Sequence, residues 1–178
     1  AKLVEGDFDT PEQKIGQYCD TRAWESCMTL TKCKDGGGWS YRPDGKTQSY
    51  EECIKMLVST VTGDGNLLLN VGPMPTGEIM PEQVEVLARI GAWLKQYGES
   101  IYATRGGPIH NGEWGGVTHK GNVCYVHVFQ WDGGKVKLPP LDAKILKTSV
   151  LTGGEADVEQ NAKGIAIHVA PEHQDPLD

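Results

Sequence analysis

Arg22-Ala23-Trp24-Glu25-Ser26-Cys27 sets a carboxylic acid directly beside an indole. A carboxyl group held against an aromatic face loses water, which disfavours its anion, raises its pKa and leaves it able to donate a proton near neutral pH. Cleavage of a glycosidic bond needs such a general acid, so Glu25 is the candidate catalytic residue. Trp24 either sets the polarity around that carboxyl or is a core aromatic that holds the strand end. Arg22 either meets substrate hydroxyls or a nucleophile's charge, or ends in a surface ion pair, the commoner fate of an arginine.

These residues need a frame. Ser49-Tyr50-Glu51-Glu52 has the form of a capping box, and Ile54, Leu57, Val58 and Val61 follow at helical spacing until Gly63 stops the run. Leu67-Leu68-Leu69-Asn70-Val71 is a short apolar run between Gly65 and Gly72, the pattern of a parallel strand covered on both faces. Asn70, at its end, reads as a structural hydrogen-bonder. Pro81 opens a second helix, with Val84, Leu87, Ile90, Leu94 and Tyr97 as one stripe and Gly98 as the stop. Helix, buried strand, helix is a piece of a βα repeat. On that layout Glu25 is expected near the C-terminal end of a strand, where barrel enzymes carry their chemistry.

Beyond about Thr104 the pattern changes to short alternating strands broken by Gly, Asn and Asp: Val123 to Phe129, Lys135 to Leu138, Lys144 to Leu151 and Ile165 to Val169. This reads as antiparallel sheet, with Gly106-Gly107-Pro108 as the boundary. The 17 basic and 24 acidic side chains give a net charge of −7, which argues against nucleic acid as a partner. No apolar run approaches the roughly 20 residues of a membrane span, and Ala1 to Asp7 holds no signal-peptide core. Cys19, Cys27, Cys33, Cys53 and Cys124 form no Cys-x-x-Cys pair, and the five histidines lack ligand spacing, so neither metal nor cofactor is expected. His127, between Val126 and Val128, reads as part of a sheet face.

Four separated motifs occur in order: Trp24-Glu25-Ser26-Cys27-Met28-Thr29; Gly38-Trp39-Ser40-Tyr41; Asn66 to Pro73 with Gly77-Glu78-Ile79; and Ile90-Gly91-Ala92-Trp93-Leu94 through Gly98 to Thr104. Together they resemble the α-L-fucosidases of glycoside hydrolase family 29. The resemblance implies a retaining hydrolase that removes terminal α-L-fucose through a covalent glycosyl-enzyme. It implies Glu25 as general acid/base and Trp39 as an aromatic lining the fucose pocket. A tryptophan in a glycine-rich loop also serves to pin that loop to the body, so both readings of Trp39 stand. Ala23 departs from the lysine common before the Trp, and the family's aspartate nucleophile matches no position here.

A closed (β/α)8 barrel takes about 250 residues, more than this chain has. The expected fold is therefore α/β followed by all-β. Residues 1–106 are expected to be the C-terminal part of a (β/α)8-like catalytic domain. Residues 107–178 are expected to be a small β-sandwich lacking its last strand, the chain stopping at Asp175-Pro176-Leu177-Asp178. A half-barrel leaves strand edges and an apolar face open, so self-association or an N-terminal fucosidase segment is the expected protein partner, and a fucosylated oligosaccharide or glycoconjugate the expected substrate. The alternatives are a carbohydrate-binding module using Trp39 and Trp114, or a structural fragment. The compartment stays open, full-length relatives implying secreted, periplasmic or lysosomal protein.

Overall fold

The computed structural model describes residues 6–34 and 36–174. Residues 1–5, Asp35 and residues 175–178, which include parts of the chain ends and of the glycine-rich loop read above, lie outside that range. In chain order the first part holds β1 (Glu25–Thr29), β2 (Thr31–Lys32), β3 (Lys46–Thr47), α1 (Tyr50–Thr62), β4 (Asn66–Asn70) and α2 (Pro81–Tyr97). The second part holds β5 (Arg105–Gly106), β6 (Gly115–Lys120), β7 (Val123–Val128), β8 (Lys135–Leu138), β9 (Ala156–Asn161) and β10 (Gly164–Val169).

The local signals act as read. Ser49 caps α1: its Oγ accepts from Glu52 N at 3.1 Å, and Glu52 Oε2 accepts from Ser49 N at 2.8 Å, so both arms of the capping box form. α2 begins with Pro81, whose missing N–H costs nothing at a helix start. β1 and β4 pair in parallel from Glu25↔Asn66 to Thr29↔Asn70, with α1 in the connection between them. A third ribbon was not read from the sequence. Residues 9–12 run parallel along the other edge of β1, bridged at Asp9↔Trp24 and Glu12↔Cys27.

One expectation about β4 is corrected. A strand covered on both faces was expected, yet Leu68 is 43% exposed, and Val84 and Leu87 of the α2 stripe are 51% and 36% exposed. α2 meets α1 only along its later turns, where Ile90, Trp93 and Leu94 join Ile54, Val58 and Ile101.

In the second part β5, β6 and β7 form one antiparallel sheet and β8, β10 and β9 another. Ile109, Val117, Val136, Leu138 and Ile165, drawn from both, share one core. The strand expected over Lys144 to Leu151 is absent, and at its start the backbone is tied to a side chain rather than to a neighbouring strand. Gln160 Oε1 accepts from Ile145 N at 2.9 Å, and Gln160 Nε2 donates to Ala143 O at 2.6 Å. The ladder is supplied by β9 and, in the other sheet, by β6, neither of which was read.

Asp64 joins the two parts. Its carboxylate accepts from Arg105 Nε at 2.8 Å, Arg105 Nη2 at 2.5 Å and Gly106 N at 2.8 Å. Burial alone would raise its pKa, but the Arg105 guanidinium and the Gly106 N–H outweigh it and hold the carboxyl below its ordinary value. A depressed native pKa stabilises the fold above the ordinary carboxylate range and ceases to do so as pH falls through the native value. Asp64→Asn keeps the shape and tolerates the left-handed backbone at φ 67, and it removes the charge together with one of the two oxygens that accept from Arg105 and Gly106. A loss of about 2 kcal/mol is expected in urea unfolding at neutral pH, shrinking towards zero in acid.

His127 on β7 meets Thr118 Oγ1 through Nε2 at 3.1 Å. That hydroxyl donates to Ser100 O at 2.6 Å, so its remaining role is acceptor and Nε2 carries the proton. Burial disfavours the imidazolium, only partly offset by the Ser100 carbonyl, and pushes the pKa down to about 4. The unfolded chain thus takes up a proton before the folded one does. Stability should be fully present above the ordinary His pKa and fall as pH drops from there to the native value, by about 2 kcal/mol between about pH 7 and about pH 5. Comparing urea midpoints for wild type and His127→Asn across that range checks it, the variant losing this part of the slope.

Candidate functional site

The three parallel ribbons give the site region a direction. At their C-terminal ends β1 runs through Leu30 into β2, and β2 and β3 pair antiparallel at Thr31↔Thr47 and Lys32↔Lys46. Between them the chain from Cys33 to Gly45 forms a loop with half-buried Trp39 in its middle. Two side chains hold this loop to the strand ends. Thr29 Oγ1 donates to Gly38 O at 2.8 Å, and Asn70 Nδ2 donates to Trp39 O at 2.9 Å. Asn70, the structural hydrogen-bonder expected from the sequence, therefore anchors the loop that carries Trp39. Gly72, just past β4, presses against the same loop: a Cβ there would lie 2.5 Å from Ser40 C and 2.6 Å from Tyr41 N.

Arg22, Trp24 and Glu25 sit at the other end. Glu25 is the first residue of β1, not near its C-terminal end as expected. From Glu25 to Thr29 the strand rises about 13 Å. Nor does Trp24 cover the Glu25 carboxyl, because successive residues of an extended chain point to opposite faces. Trp24, Ser26 and Met28 share the packed face, all of them at most 9% exposed. The Trp24 indole donates from Nε1 to Gly63 O at 3.2 Å at the end of α1. It lies so close to Gly16 and Gly65 that a Cβ at either would fall 2.7 Å and 2.5 Å from its ring. Of the two readings of Trp24, its 4% exposure and its packing favour the core aromatic over the substrate-binding residue. Arg22 pairs with Asp9 at 2.7 Å and donates to Gly6 O, the surface ion pair rather than an inward-facing cation.

The opposite face of the ribbons carries Glu25, Cys27 and Thr29 on β1 with Asn66, Leu68 and Asn70 beside them in register. The Glu12↔Cys27 bridge puts Glu12 on this face too, at the last paired position of its ribbon. Cys27 N donates to Pro11 O and Gln13 N to Cys27 O, both at 2.9 Å, which fixes that end. Of the two glutamates on this face, exposed Glu12 is therefore nearer the end that carries the Trp39 loop. Sequence reasoning missed it. Thr10-Pro11-Glu12 is too short to show a strand period, although a carboxylate just after a Pro that ends an extended run was the available signal.

Two further features lie elsewhere. A groove of about 630 Å3, lined by Tyr18, Lys55, His110, Glu113 and Phe129, opens beside α1 and includes neither glutamate of the sheet face nor Trp39. Trp114, an alternative sugar-stacking residue from the sequence, is partly buried against the core of the antiparallel sheets. Among the described residues no cluster of three or more His, Cys, Asp or Glu is arranged to hold a metal, and no helix is long and apolar enough to cross a membrane.

A family model described as Alpha-L-fucosidase matches residues 1–99. The human plasma alpha-L-fucosidase is 44% identical over 84 residues, which are 46% of this chain and 17% of that protein. The human tissue alpha-L-fucosidase is 33% identical over 175 residues, 91% of this chain and 36% of that protein. Among solved structures, alpha-L-fucosidase isoenzyme 1 from Paenibacillus thiaminolyticus superposes with a TM-score of 0.80 at 29% identity, covering 96% of this chain and 42% of that one. The chain spans less than half the length of each.

Proposed function

The chain belongs to the α-L-fucosidase family, and on that premise we propose that it forms one wall of an α-L-fucose site at the C-terminal ends of its parallel ribbons. The observation that carries this reading is that the loop bearing Trp39 is anchored to Thr29 and Asn70, at the end of the sheet face on which Glu12 also lies. Fucose has an apolar face and a C6 methyl, and the half-buried indole of Trp39 suits both. The reaction is retaining hydrolysis of a terminal α-L-fucosyl linkage. A carboxylic acid protonates the leaving oxygen and, as carboxylate, later activates water against the glycosyl-enzyme. Glu25 is the sequence's candidate for that acid/base, and Glu12 is the one whose position at the ribbon end favours it.

On this reading the chain through α2 is part of a (β/α)8 barrel, and the strands from β5, which pairs with β6, onward are a β-sandwich seated on it, so the boundary expected after residue 106 falls just before β5. Leu68, Val84 and Leu87, exposed here, are then covered by the remaining barrel strands and helices, from an N-terminal fucosidase segment or, failing that, a second copy. The nucleophile belongs to that missing part. The test is calorimetric titration of the folded chain with L-fucose. Saturable binding that Trp39→Ala abolishes is expected, and a folded wild-type chain that takes up no fucose would sink the reading.

A further inference from the structure

Thr29 is 1% exposed at the last position of β1, and its hydroxyl is used to capacity. Oγ1 donates to Gly38 O at 2.8 Å and accepts from Asn70 Nδ2 at 3.2 Å and from Thr31 N at 3.3 Å. A hydroxyl has one proton and two lone pairs, so no further bond is available to it. Asn70, the register partner of Thr29, also donates to Trp39 O at 2.9 Å. The two side chains that hold the loop thus hold each other. They are themselves braced: Gln48 Nε2 donates to Thr29 O at 3.1 Å, and the fully buried Gln83 of α2 donates from Nε2 to Thr31 Oγ1 at 2.9 Å.

The carbonyls of Gly38 and Trp39 belong to the two peptide units that flank the Trp39 Cα. Each unit is planar, so fixing both leaves little freedom in φ and ψ of Trp39 and sets the direction of its Cα–Cβ bond. Gly38 makes the close approach possible: its φ is +117, and a Cβ would lie 2.4 Å from Thr31 O. A loop held only by its ends, over the thirteen positions from Cys33 to Gly45, would let the indole wander. We propose that Thr29 and Asn70 are positioning residues that aim the Trp39 indole, without touching the sugar themselves. This rests on the reading of Trp39 as the fucose wall.

The chain holds five tryptophans, so 5-fluorotryptophan labelling gives five fluorine resonances, with Trp39→Phe identifying the relevant one. Thr29→Val keeps the volume and removes the hydroxyl. It should shift or broaden the Trp39 line, leave the other four in place and raise the L-fucose midpoint about tenfold, the worth of one or two lost hydrogen bonds. Thr29→Ser should restore both. An unmoved Trp39 line and midpoint in Thr29→Val would overturn the proposal. So would a Thr29→Ser chain as impaired as the valine variant, or a common shift of all five lines. If Thr29→Val does not fold, Asn70→Ala carries the same test, and failure of both to fold beside a folded Thr29→Ser would reduce the clamp to a structural role and overturn it. A wild-type Trp39 line that ignores fucose but moves in Thr29→Val supports the clamp and sinks instead the fucose reading of Trp39.

Discussion

Trp24→Ala should lower stability by about 4 kcal/mol, because it removes a large buried side chain from a site that has no means of collapsing. Gly16, Gly63 and Gly65 line the indole, and without side chains of their own they cannot fill the void. The deletion also removes the Nε1 donor from Gly63 O, which keeps Cys19 N as its other donor, so the lost packing makes up most of the effect. A small domain holds about 5–15 kcal/mol in all, so the urea midpoint should fall by a large fraction of its value. Trp24→Phe should cost clearly less, as most of the volume stays. If Trp24 instead lined a substrate pocket, Trp24→Ala would leave the midpoint nearly unchanged and affect only ligand binding. The two roles are thus separated by one denaturation curve.

What the sequence disclosed is what local chemistry decides. Ser49 and Glu52 specify the start of α1 across three residues, and Pro81 the start of α2, so both helices and β4 between them were legible. What it withheld depends on partners remote in sequence. Trp24 and Glu25 are neighbours in the chain, but which of them faces the core is settled by α1, forty residues on. Lys144 to Leu151 alternates like a strand, yet it pairs with no strand, and Gln160, some fifteen residues on, holds its start through Ala143 O and Ile145 N. Gly115-Gly116 opens β6 with low strand propensity, and only pairing with His127 and Val128 makes a strand of it. Around the candidate site, the glycine-rich sequence at Trp39 read as a loop and forms one, and Asn70, read as a structural hydrogen-bonder from its strand end, makes such bonds. Glu12 escaped because its ribbon exists only through bridges to β1.

The choice between the two glutamates is open to a kinetic test with a large expected effect. General acid/base groups contribute about 10²–10⁴-fold, and the part due to protonating the leaving group depends on how badly that group needs a proton. In the shortest preparation containing this sequence that hydrolyses α-L-fucosides, Glu12→Gln should lower kcat/KM within that range on a fucosyl disaccharide. It should lower it far less on 4-nitrophenyl α-L-fucoside, whose nitrophenolate departs without help. Glu25→Gln should change both substrates by no more than a few fold, since Glu25 opens β1 about 13 Å of strand from Thr29. The reverse ranking, with the disaccharide penalty falling on Glu25, would return the acid/base role to the Trp-Glu pair and require the substrate to reach the N-terminal end of the sheet. Equal losses on both substrates in either variant would mark that glutamate as a positioning or folding residue, because only a proton donor in the transition state distinguishes the leaving groups.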